Sequence, residues 1–270
     1  MILPPLRRDR PVPGRGPAIG MGEVSNEGTE EVAAVNRRLP SALLAAVAGS
    51  LDVVGLIGLG LFTAHITGNL ALLIAHVVGG GAARLAPMLS VPVFIAALVL
   101  TRTLVSGLRS AGLDALRPLL LLECLLLAGC LGVGVRAGPS ADPNTASTIL
   151  AGMLAVSAMA VQNALPLRGA PPTTAVTGTI TRLTLDVMDI VLARDATGAG
   201  AERAGQTWPT IAGFAVGCGL GAAGVATLGR WSLALPAALA VVALAIASWP
   251  RVHAAPSETA SRWRRNRRAR

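Results

Sequence analysis

Apolar positions in this chain come in long runs rather than at the spacing of a half-buried helix, and the polar residues gather between them. Runs at residues 41–62, 87–105, 119–135, 146–165, 211–228 and 231–248 reach the roughly 17 to 25 residues a helix needs to cross a bilayer. Two more, 70–78 and 180–192, are too short to cross alone. The pattern predicts an all-α polytopic membrane protein with six spanning helices plus two short broken or re-entrant half-helices.

The first short run belongs to the stretch that organises the rest, residues 50–79. Asp52 stands inside its first apolar run, and a polar knot of His65, Thr67, Gly68 and Asn69 interrupts it before the half-helix, which Thr67 or Asn69 is suited to cap. Adding 110 to each number gives residues 160–189 without a gap: Asp52 falls on Gln162, Thr63 on Thr173, and Thr67-Gly68-Asn69 on Thr177-Gly178-Thr179. A repeat whose matched positions are polar residues in membrane-grade sequence points to a site at the repeat interface.

Loop arginines bear on whether the short helices cross. If they are re-entrant, Arg102, Arg109, Arg117, Arg168, Arg194 and Arg203 fall on one side and Arg84, Arg136 and Arg230 on the other, six against three. Eight full crossings would give four against five, which fits the positive-inside bias less well. The re-entrant reading makes the halves inverted repeats, about residues 39–136 and 146–250 of one transmembrane domain spanning 39–250. It puts both termini in the cytoplasm, with a disordered tail over residues 1–38 and an Arg-rich tail over 251–270 in which Trp263 anchors at the interface.

Composition then acts by exclusion. At 53% hydrophobic and 14% charged residues, the 270-residue chain does not read as an ordinary soluble domain. Its net charge of +9 comes from arginines in the tails and short loops, so it reads as membrane orientation, and no nucleic-acid partner is expected. Cys124, Cys130 and Cys218 lie inside apolar runs without metal-ligand spacing, and Gly79-Gly80-Gly81 lacks the strand and Lys of a phosphate-binding loop. No metal, cofactor or enzymatic nucleophile is expected.

The segments LDVVGLIGLGLFTAHITGN and VQNALPLRGAPPTTAVTGT, standing in that order, resemble the YoaK-like family of bacterial inner-membrane proteins, a domain of unknown function. The resemblance covers about residues 38–250 and implies a bacterial inner-membrane protein of about six helices. It carries over no catalytic residue. Ser50-Leu51 precedes Asp52 where the family more often has an aromatic residue.

The candidate chemistry sits on the repeat. An ionised Asp52 inside a span costs about 2.5 to 3.5 kcal/mol on insertion scales, so it reads either as a proton- or cation-linked group or as a carboxylate bonded to a neighbouring helix for packing. Two half-helix starts meeting near the midplane would offer positive dipole ends to an anionic or strongly polar solute, with Gln162, Asn163, Thr173 and Thr174 as uncharged partners. The plainer reading of Thr67-Gly68-Asn69 and Thr177-Gly178-Thr179 is tight turns at the membrane surface. His65 is a proton carrier or an interfacial residue. Arg182 binds an anion or pairs with Asp186 at i+4. Glu123 is expected to snorkel from the end of its span, and the Gly213, Gly217 and Gly221 ridge to pack closely against another helix.

The function these features suggest is a small-solute secondary transporter or channel-like permease. The alternative is a non-transporting membrane scaffold or accessory subunit.

Overall fold

The computed structural model describes residues 23–79, 85–137, 144–165, 176–192, 194 and 197–248, with side chains from Leu39 onward. Thr173 and Thr174, and the Arg-rich tail with Trp263, lie outside the described residues. The chain divides into two units, Met1–Arg37, of which residues 23–37 are helical, and Arg38–Arg270, which holds the rest of that first helix and every later element. The described elements are helical: α1 (Glu23–Leu59), α2 (Ile66–Val78), α3 (Leu85–Ser110), α4 (Leu116–Arg136), α5 (Ala146–Ala164), α6 (Val176–Val191), α7 (Ala199–Leu228), a 3-10 turn (Gly229–Leu233) and α8 (Ala234–Ser248).

Among the described residues five helical segments are long and apolar enough to cross a membrane: Leu39–Gly58, Leu85–Ser110, Leu116–Arg136, Ala146–Ala164 and Ala199–Ser248. The last is 50 residues long, more than twice what one crossing requires. Gly229, at φ +54°, and the 3-10 turn divide it into α7 and α8. At 1.5 Å per residue, α2 and α6 extend only about 20 and 24 Å, short of the roughly 30 Å hydrocarbon core. They begin at Ile66 and Val176, 110 residues apart, which is the offset of the sequence repeat.

Both short helices start earlier than the hydropathy pattern predicts. Thr67-Gly68-Asn69 and Thr177-Gly178-Thr179 form their first turns instead of interrupting the chain, and neither Gly68 nor Gly178 has positive φ. A first turn tolerates such residues because its N–H groups have no intrahelical acceptor to lose. The residue before α2 is His65, not Thr67 or Asn69, and it makes no side-chain capping bond. The first span ends at Leu59 rather than at residue 62.

Span α1 and helix α5 are the most enclosed of the candidate spans. Helix α5 packs against α3 and α4, α4 against α8 and the 3-10 turn, α2 against α3, and α6 against α7. Val47, Leu51, Val54, Leu127 and Met159 lie in the larger of two apolar clusters, and Leu44, Leu119 and Val161 lie in the smaller. Gln162 Nε2 on α5 donates to the Leu44 carbonyl at 2.9 Å, whereas Leu61, just past the end of α1, lies against Gly152 near the start of α5. These contacts make α5 antiparallel to α1.

Helix α7 runs with α1. A Cβ added at Gly221 would stand 2.7 Å from Ser50 O, and one at Gly213 or Gly217 would meet the carbonyl of Ala42 or Ala46 more closely still. Gly49 on α1 presses in the same way on Phe214. The predicted glycine ridge is therefore a backbone-to-backbone seam, in which small residues at four-residue spacing let two helices approach without side chains between them.

Candidate functional site

Helix α1 stops because Gly60 turns the chain: its φ of +74° is a conformation that a residue with a Cβ disfavours. The Leu61 N–H reaches back to Gly55 O at 3.3 Å, and the chain then crosses to α2 over residues 60–65. Such a linker exposes main-chain N–H groups that apolar surroundings leave unsatisfied. Asp52, 4% exposed and two turns back inside α1, supplies the acceptor. Its Oδ1 accepts from Thr63 N at 2.7 Å, Ala64 N at 2.8 Å and Thr63 Oγ1 at 3.3 Å, while its Oδ2 pairs with His65 Nδ1. The carboxylate thus stands just before the start of α2, where negative charge complements the helix dipole and a capping side chain is lacking.

Asn69, fully buried in the first turn of α2, closes the other side of the linker. Its Oδ1 accepts from Phe62 N at 2.7 Å, and its Nδ2 donates to Phe62 O at 2.6 Å and to Ser90 Oγ of α3 at 2.9 Å. Ser90 Oγ in turn donates to Pro87 O at 2.7 Å. The Phe62 ring lies over Gly68, where a Cβ would stand 2.9 Å from Phe62 Cδ2. His65 lies edge-on between Phe62 and Phe214 of α7, with ring centroids 6.3 and 5.5 Å away. It lies in the linker, outside the helices, and the hydrogen bond to Asp52 raises its pKa above 6.5, with burial opposing and the Asp52 charge assisting. A third of its side chain, 33%, is exposed.

A family model described as "Protein of unknown function (DUF1275)" matches residues 41–246, well over half of the chain. The chain belongs to the DUF1275 family. The match includes Asp52, His65, Asn69 and both halves of the repeat. No curated protein and no solved structure matches the DUF1275 chain, so the rest of the site is read from geometry.

The second repeat of the DUF1275 chain places its polar residues elsewhere. Gln162 is buried on the Leu44 carbonyl, eight residues of α1 from Asp52, or about 12 Å along the helix axis. Asn163 Nδ2 donates to Met159 O at 3.0 Å. Asn163 also lines a groove of about 600 Å³ with Phe94, Leu98, Val99, Arg102, Thr103 and Ser106, a lining that includes neither Asp52 nor Asn69. Thr179 is buried, whereas Thr177, Gly178 and Arg182 are exposed on α6, as Thr67 is on α2. The groove therefore does not join the polar residues of the two repeats.

Two further expectations change. Asp186 pairs with Arg203 of α7, whose Nε and one terminal nitrogen lie 2.9 and 2.8 Å from its Oδ1, rather than with Arg182. The exposed side of α6 carries Arg182 away from the hairpin contact that buries Asp186. Glu123 does not snorkel: it lies on the buried face of α4 at 0% exposure. Sequence reasoning missed Ser90 and Phe214 altogether. A hydroxyl flanked by Pro87 and Pro92 within an apolar run was the available signal for Ser90; nothing local marks Phe214.

Proposed function

We propose that this DUF1275 protein is a proton-linked permease for a small polar or anionic solute, not an enzyme, with protonation at the Asp52–His65 pair as the coupling event. In this reading α1, α3, α4, α5, α7 and α8 span a bacterial inner membrane, as the YoaK-like resemblance implies, with both termini cytoplasmic, as the loop arginines favour. Helices α2 and α6 are the short elements of two inverted repeats. The shared 110-residue offset, the antiparallel course of α1 and α5, and the two short helices support it.

The observation that carries the proposal is a carboxylate and an imidazole paired where the most enclosed span gives way to its linker, with a third of the imidazole side chain exposed. Loss of the His65 proton removes the cation of the pair and leaves the Asp52 carboxylate held by the linker's Thr63 and Ala64 N–H groups. Because His65 lies against Phe214, the change reaches α7 at the same level as the Gly49–Phe214 contact of the seam. A shift in the free energy of the pair thereby biases two arrangements of α7 on α1.

The test is luminal pH in proteoliposomes carrying a trapped pH dye, challenged with chloride, phosphate, sulfate, succinate and glycine. At least one solute is expected to drive a luminal pH change that His65→Gln abolishes. Silence across the panel, with a stoichiometric partner retained through purification, would favour the scaffold reading. That second reading draws on the α1–α7 seam, which leaves no space between those backbones, and on the separation of Gln162 from Asp52.

A further inference from the structure

Glu123 is a fully buried acidic side chain that the site above does not use. Helix α4 buries Leu119, Leu120, Cys124, Leu127 and Cys130 on one face, and Glu123 occupies a position on that face where a leucine would satisfy the helical pattern. It is 0% exposed, and neither carboxyl oxygen has a hydrogen-bond partner among the described residues. Helices α5 and α8, which pack against α4, carry no titratable side chain anywhere along their lengths. The 3-10 turn contributes Arg230, whose Nη1 donates to Gly134 O at 2.9 Å, three turns further along α4.

Of the groups on neighbouring spans, Asp52 is engaged by the α1–α2 linker, and Arg102 and Arg109 of α3 are exposed. On α4 itself the other titratable groups are Arg117 and Arg136 near its ends and the two buried cysteines. No cluster of three His, Cys, Asp or Glu residues able to hold a metal ion occurs among the described residues. An ionised carboxylate in such a place has neither counter-ion nor donor, whereas the uncharged acid has a single hydroxyl to accommodate.

We propose that Glu123 is a proton-binding site, resting as the uncharged acid inside the contact of α4 with α5 and α8 and exchanging its proton when that contact loosens. Release breaks the carboxyl O–H bond; the proton passes to water, and the electron pair stays on the carboxylate oxygen. Water is the proton acceptor, and no oxidant is needed. The inference stands apart from the permease reading, because it concerns the binding of a proton and not the movement of a solute.

The experiment uses the full-length protein in lipid nanodiscs, with infrared spectra of the carboxylic-acid carbonyl region recorded over a pH series. A band present at neutral pH is expected to fade reversibly as pH rises, to be absent in Glu123→Gln and to be shifted in Glu123→Asp. If Glu123→Gln does not fold, dicyclohexylcarbodiimide, which adds to protonated carboxyls in apolar surroundings, gives the reading on the native chain. Peptide mapping is then expected to find the adduct on Glu123, with labelling falling at least tenfold from the acid to the alkaline end of the series. A carbonyl band that Glu123 variants leave unchanged, a band that never titrates while the protein stays folded, or an adduct confined to other carboxyls would overturn the proposal.

Discussion

Asn69 holds Phe62 by both polar atoms of that residue's backbone, accepting from its N–H at 2.7 Å and donating to its carbonyl at 2.6 Å. A single side chain thereby replaces the two bonds that Phe62 forfeits by lying outside a helix. Asn69→Leu keeps the volume and removes both bonds, leaving the Phe62 N–H and C=O without those partners at about 1 to 3 kcal/mol each. The expected loss is therefore about 2 to 6 kcal/mol of stability, read as a lowered unfolding midpoint in nanodiscs. Thr67→Ala, two positions away and exposed, is expected to change it by under about 0.5 kcal/mol.

The His65–Asp52 pair sets a direction for pH dependence. Because the folded-state pKa of His65 is raised above 6.5, its protonated form is favoured by folding. The stabilisation is fully present below pH 6.5, where the unfolded chain also binds the proton, and is lost as pH rises through the folded value. The unfolding temperature of the native protein minus that of His65→Gln is therefore expected to be largest near about pH 6 and to shrink toward about pH 8.5, a range that brackets the titration of histidine in folded proteins. A difference that grows with pH would reverse the assignment.

The α1–α7 seam separates glycines that look alike in sequence. A Cβ at Gly217 would stand 2.7 Å from Ala46 Cα and closer to its carbonyl oxygen, whereas a Cβ at Gly219 would meet nothing within 4 Å. Gly217→Ala is expected to destabilise by about 1 to 3 kcal/mol through overpacking. Gly219→Ala is expected to be neutral or to gain up to about 1 kcal/mol from helix propensity. Equal responses at the two positions would show that the seam is not a backbone contact.

What the sequence made legible was set by side chains whose local environment repeats. The 110-residue offset matched the starts of α2 and α6, and the Gly213, Gly217 and Gly221 spacing marked the seam. The break itself was harder to read, because Leu61 and Phe62 are apolar and hydropathy does not register whether an apolar residue is helical. The polar knot drew the interruption toward Thr67-Gly68-Asn69, while the turn lay earlier, at Gly60. Asp52 was visible as a costly group, but two of the donors it binds, Thr63 N and Ala64 N, are main-chain atoms that almost any residue supplies. Arg203 as the partner of Asp186 depends on how α6 docks on α7, which i+4 spacing does not encode.

Titration of the individual histidines by nitrogen-15 NMR, in the native protein and in Asp52→Asn, tests the coupling pair most directly. His65, assigned through the resonance that His65→Gln removes, is expected to titrate above 6.5 in the native protein and to fall toward that value in Asp52→Asn. A His65 resonance that titrates at or below 6.5 and is indifferent to Asp52→Asn would contradict the account.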